Sequence, residues 1–87
     1  MDSTLLSGTA EYRYQLLGRL QNDCLAFLDG SRSESRLWAG NIQDQTQAMK
    51  TLWNSLEEKP QWISLEEIEA LEQEMVRVDV FADRPRY

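Results

Sequence analysis

The chain has 87 residues, nine Lys and Arg against fifteen Asp and Glu, no histidine, one cysteine and a formal net charge of −6. That length is one domain with a small core, since a chain of this size hides only about 60–65% of its unfolded surface. Without histidine and with a single thiol it cannot build a His/Cys zinc site, a Ser-His-Asp or Cys-His nucleophile, or an intrachain disulfide.

Residues 1–8 read as a flexible lead-in. An acid, Asp2, stands where a signal peptide carries Lys or Arg, and Leu5-Leu6 is too short for its apolar core. No stretch reaches the roughly 18–20 apolar residues that a membrane-spanning helix needs. A reduced, cytoplasmic protein without a membrane partner is expected. The first helix is predicted from about Thr9 to Leu28, with Ala10, Tyr14, Leu17, Leu20, Cys24, Phe27 and Leu28 on one face. Thr9 is its N-cap and Glu11 favours the positive end of its dipole. Cys24 is expected to be a buried thiol. Gly18 inside the pattern leaves room for close approach of a second helix, and Asp29-Gly30 ends the helix with a left-handed cap.

Ser31 to Arg36 is small, polar and mixed in charge, the composition of an exposed connector. Leu37-Trp38 is expected to anchor it to the core through the tryptophan. A second helix follows from about Asn41 to Leu56, burying Ile42, Gln45, Met49, Leu52, Trp53 and Leu56, with Gln43, Asp44, Gln47 and Lys50 towards water. Pro60 cannot continue it and biases Lys59 away from helical geometry.

The third helix has the clearest local signal. Ser64 with Glu67 forms a capping box, and Ile63 with Ile68 the matching hydrophobic staple. Leu65, Ile68, Leu71 and Met75, with Ala70 for close packing, supply its apolar stripe up to Met75. Beyond it, Val76-Arg77-Val78-Asp79-Val80-Phe81 alternates at a step of two. Three outcomes are open for this segment: the helix continues through Val78, the segment packs as an extended arm, or it adds as a strand to another chain. The expected organisation is an all-α, small three-helix domain over residues 9–75, with a short C-terminal arm, extended or β-like, over 76–87.

The charge is concentrated. Residues 57–74 hold seven glutamates and one lysine, a net of −6, while the segments on either side nearly balance. No basic stripe exists to contact phosphates, which argues against direct nucleic-acid binding. The glutamates form either a solvated face or a docking surface for a basic protein, including a nucleic-acid-binding one whose groove they occupy. Catalysis by surface glutamates would need a pocket that separates their pKa values, and three short helices offer little concavity. The four glycines are isolated, so no phosphate loop is present, and Asp23 to Glu34 lacks calcium-loop spacing. Two readings of the tryptophans compete: they compensate for a small core, with Trp38 and Trp62 pinning the two connectors, or one of them forms with Tyr12 or Tyr14 an exposed anchor for another protein.

Tyr12-Arg13-Tyr14-Gln15-Leu16-Leu17, Arg19-Leu20-Gln21, Asp23-Cys24 and Phe27-Leu28 form one block, followed by Leu37-Trp38-Ala39-Gly40-Asn41 and by Gln45, Met49 and Leu52. Glu58-Lys59-Pro60, Trp62, Leu65-Glu66, Ile68, Glu72 and Met75 complete the string. From Tyr12 to Met75 the chain resembles the small helical large polyvalent protein-associated domains of conjugative elements and phages. The resemblance implies a module that occurs in very long multi-domain proteins or as a short free-standing protein. It carries over no catalytic residue and no cofactor. Met1 to Ala10 and Val76 to Tyr87 lie outside it, and the Asp29–Arg36 connector departs in composition.

A non-enzymatic module that binds another protein is therefore expected, without metal or cofactor. The alternative is a small acidic inhibitor of a host defence nuclease, of anti-CRISPR or anti-restriction type. Candidate partner-binding residues are Glu66, Glu69, Glu72 and Glu74 on the third helix, with Val78, Val80 and Phe81 of the arm, which also offer a route to self-association.

Overall fold

A computed structural model describes residues 8–82, with side chains placed as far as Asp79. Helix α1 runs over Ala10–Leu28, a 3₁₀ turn over Glu34–Arg36, α2 over Ile42–Ser55 and α3 over Leu65–Ala82. Among the described residues there is no strand. The all-α three-helix architecture is the expected one. Helix α2 packs most extensively on α3, and α1 lies against both.

Local chemistry sets the helix ends. The Thr9 hydroxyl accepts from the Tyr12 N–H at 3.1 Å, the Asn41 side chain from Asp44 N–H at 2.9 Å, and the Ser64 hydroxyl from Glu67 N–H at 3.1 Å. Each satisfies one backbone donor that the first helical turn leaves unpaired. Helix α1 ends in a left-handed cap at Gly30, φ +90°, where Ser31 N–H reaches Ala26 C=O at 2.9 Å and Gly30 N–H reaches Phe27 C=O at 3.2 Å. At the other end of the core, Lys59 Nζ donates to the Asn54 carbonyl at 3.1 Å and to that of Leu56, and stands 4.9 Å over the Trp53 ring. A cation on the last carbonyls of α2 suits the negative end of its dipole.

The core gathers Leu16, Leu17, Leu20, Cys24 and Phe27 of α1, Ile42, Ala48, Met49 and Leu52 of α2, and Ile68 and Met75 of α3. The connectors contribute Leu37, Leu56 and Ile63. Ile63 and Ile68 are both fully buried, as the staple requires. Ala10 and Ala70, by contrast, are exposed, and the buried Leu16 was not on the expected face.

Three expectations are corrected. Of the three outcomes open for the segment after Met75 the helical one holds, α3 continuing through Val78 to Ala82, so the arm is not extended or β-like over its described residues. Ile68, Leu71, Met75 and Val78 recur at steps of three and four, so Val78 extends the same stripe onto the core while Val76 is exposed. A lone strand here would leave its N–H and C=O groups unpaired, whereas a helix satisfies them internally. The second correction concerns the first connector, which is anchored by the buried Leu37 rather than by Trp38, which is 39% exposed. What holds Trp38 is its backbone, since its N–H donates to the buried Asp23 carboxylate at 3.1 Å. Third, Gly18 faces the Trp62 ring and not a second helix; a Cβ there would lie 3.7 Å from the indole. The lead-in 1–7 and the tail 83–87 lie outside the described residues.

Candidate functional site

The seven glutamates of residues 57–74 do not form one surface. Glu66 and Glu69 of α3 are exposed. Glu74 is also exposed, beside Arg77 at 3.3 Å, one turn further along the helix. Glu72 is half-buried and turned to α2, where it pairs with Lys50 at 3.6 Å. Helical geometry accounts for this split, because residues 66, 69, 72 and 74 spread over about 200° around the axis. Glu72 therefore serves the α2–α3 contact. Of the other candidates, Val78 packs against the core, and the side chains of Val80 and Phe81 lie outside the described residues.

Where α3 runs beside α1, a shallow groove of about 280 Å³ opens between Leu25, Ala70 and Leu71, with Gln21, Glu67 and Glu74 along its sides. Leu25 is 47% exposed and so presents its apolar body to solvent. Tyr14 and Trp62 meet at the surface: Trp62 Nε1–H donates to the Tyr14 hydroxyl, with the rings edge to face at 5.3 Å. Tyr14 and Trp62 are both part-exposed on the α1 side of the second connector, and Tyr12 stands 52% exposed in the first turn of α1. A second, larger cleft of about 720 Å³ lies between α1 and the end of α2, between Tyr14, Ser55, Glu57 and Glu58. Arg13 lines it, donating from Nη1 to the Ser55 carbonyl at 3.2 Å, and its Nε is buried without a partner.

Sequence reasoning missed two features. Leu25 falls off the buried stripe of α1, and a large apolar residue at an outward position was the available signal. Asp23, 7% exposed, pairs with Arg32 at 3.1 Å and holds the first connector; an acid next to a core cysteine gave no sign of that. Gln45 and Glu34 complete the anchoring. Gln45 bridges Leu20 C=O and Ala39 N–H, and Glu34 accepts from Ile42 N–H at 3.1 Å. Asp79 of α3 comes near Glu34, and partial burial followed by that carboxylate raises its pKa. Burial raises the Cys24 thiol to about 12, with Asp23 beside it acting in the same sense.

Among the described residues no group of three or more His, Cys, Asp or Glu is placed to hold a metal ion. No described helix is long and apolar enough to cross a membrane. The model of a family described as large polyvalent protein-associated domain 11 matches residues 10–75. No curated protein and no solved structure matches the chain. The family match stops at Met75, two turns before α3 does.

Proposed function

The chain belongs to the large polyvalent protein-associated domain 11 family, and from that premise we propose that it is a non-enzymatic protein-interaction module encoded by a bacterial mobile element or phage. The observation that carries this reading is the set of large apolar side chains left outside a filled core. Tyr12, Tyr14, Leu25, Trp38, Trp62 and Val76 are all exposed by more than a third on this small domain. Scattered single apolar residues are ordinary, but tyrosine and tryptophan are the side chains that most often anchor protein interfaces. The module works in the bacterial cytoplasm by docking another protein.

A second reading is a small acidic inhibitor of a host defence nuclease that presents α3 to a basic groove. Exposed Glu66 and Glu69 favour it, as does the charge of −6 on residues 57–74. The engagement of Glu72 by Lys50 in the α2–α3 contact weakens it, because one carboxylate fewer remains to imitate a phosphate run.

Affinity capture from host lysate, at low and at high salt, separates the two. A partner retained at high salt supports the apolar docking module. A nuclease retained only at low salt, and lost on Glu66→Lys with Glu69→Lys, replaces it with the inhibitor. Capture of no partner at either salt overturns both.

A further inference from the structure

The groove between α1 and α3 combines an apolar floor with acids at a fixed spacing. Leu25 from α1, with Ala70 and Leu71 from α3, forms the floor. Glu67 and Glu74 on α3 flank it and are both exposed. They stand seven residues apart, which is two helical turns and about 10.5 Å along the axis. A second helix lying along this groove has the same repeat. A lysine or arginine, an apolar residue three or four positions on, and a second base at the seventh position fall on one face of it.

We propose that this groove docks a cationic amphipathic helix of a partner protein. One apolar side chain of that helix sits against Leu25, Ala70 and Leu71, and flanking Lys or Arg side chains meet Glu67 and Glu74. The assignment rests on the reading of the chain as a protein-interaction module. Charge complementarity selects the occupant, since the two charged side chains that line the groove, Glu67 and Glu74, are both acids. The Arg77–Glu74 pair does not block the site, because an exposed pair one turn apart is weak and is readily exchanged for a partner's base. The small volume admits one anchor, so the contact is a transient one, strengthened when the partner brings further contacts.

The test is a titration of the isotope-labelled full chain with a synthetic helix-forming peptide of the pattern Lys-x-x-Leu-x-x-x-Lys, followed by NMR. Two control peptides carry Glu for Lys and Ala for Leu. Amide shifts centred on Gln21, Leu25, Ala70 and Leu71 are expected, with affinity falling about tenfold or more for either control. Leu25→Gln and Ala70→Arg, both at exposed positions and checked for an unchanged thermal midpoint, should each weaken binding about tenfold. Equal affinity for the Leu→Ala peptide, or shifts confined to the face that carries Glu66 and Glu69, overturns the groove. So does a lysate partner that is captured equally well by Leu25→Gln, and that result leaves the module reading standing. If the wild-type chain captures no partner at all, the module reading falls and the groove falls with it.

Discussion

The indole N–H of Trp62 donates to the hydroxyl of Tyr14, joining the connector before α3 to the first turns of α1 across 48 residues of sequence. The rings meet edge to face, at 84° and 5.3 Å between centroids, an arrangement that the aromatic quadrupoles favour. Because both groups are part-exposed, water replaces the hydrogen bond when it is lost. Tyr14→Phe should therefore cost only about 0.5–1 kcal/mol, and Tyr14→Ala more, about 1–2 kcal/mol, since the edge contact goes as well. Urea unfolding followed by tryptophan fluorescence measures both. Equal losses in the two variants would show that the ring contact contributes nothing.

Gly18 lies in the middle of α1, and a Cβ there would meet the far edge of Trp62 at 3.7 Å, an ordinary contact. Glycine inside a helix costs about 1 kcal/mol relative to alanine. Gly18→Ala should accordingly stabilise the fold by about 0.5–1 kcal/mol, raising the thermal midpoint by a few degrees. A lower midpoint would mean that the indole cannot accommodate the methyl group.

Asp23 and Arg32 share an ion pair, but they are not equivalent: the acid's side chain is 9% exposed and the base's 40%. Removing Arg32 leaves a carboxylate that still accepts from Trp38 N–H, so Arg32→Ala should cost about 0–1 kcal/mol. Asp23→Ala strips the partner from a backbone donor and frees the connector, and should cost about 2–3 kcal/mol. Asp23→Asn, which keeps an acceptor, should fall between them. Chemical denaturation of the three variants gives the order, and a larger loss for Arg32 than for Asp23 refutes it.

Burial raises the Cys24 thiol to about 12 from an ordinary value near 9, with the Asp23 carboxylate acting in the same direction. The native fold therefore holds the neutral thiol, while the unfolded chain ionises first. This contribution to stability is complete below about pH 9 and is lost as pH rises towards about 12. In the folded protein at pH 8, alkylation of Cys24 should proceed only as fast as unfolding exposes it, and in denaturant it should be immediate. Cys24→Ala should remove this part of the alkaline loss.

Asp79 titrates in the opposite pH range. Its pKa is raised above 3.8, first by desolvation and then by the Glu34 carboxylate, so the native state prefers it protonated. The stability this contributes is present below its ordinary range and is lost as pH climbs through the raised value. Asp79→Asn should raise the midpoint at pH 7 and leave it unchanged near pH 3. An effect independent of pH would point to packing instead of charge.

The helix starts and the end of α1 were legible in the sequence because their caps are local: a side chain that accepts from the backbone three residues on, or a glycine that adopts the left-handed conformation. Thr9, Asn41, Ser64 and Gly30 all stand where their chemistry places them. The end of α3 was not legible. Val76, Val78 and Val80 at a step of two satisfy a strand pattern, and Leu71, Met75 and Val78 satisfy a helical one. Only the core's position against α3 chooses between them. The candidate site divides in the same way. A run of glutamates is visible as composition, but which of them faces Lys50, the groove or open water depends on where the neighbouring helices lie.

The sequence by itself determined the helix count, the caps, most of the buried stripe and the acidic character of residues 57–74, since these rest on periodicity, local hydrogen bonding and charge. The tertiary structure decided the outward turn of Trp38, the burial of Asp23, the helical course of residues 76–82 and the groove at Leu25. Each depends on contacts between segments far apart in the chain. A one-dimensional pattern records how polar a residue is, but not which distant surface will cover it.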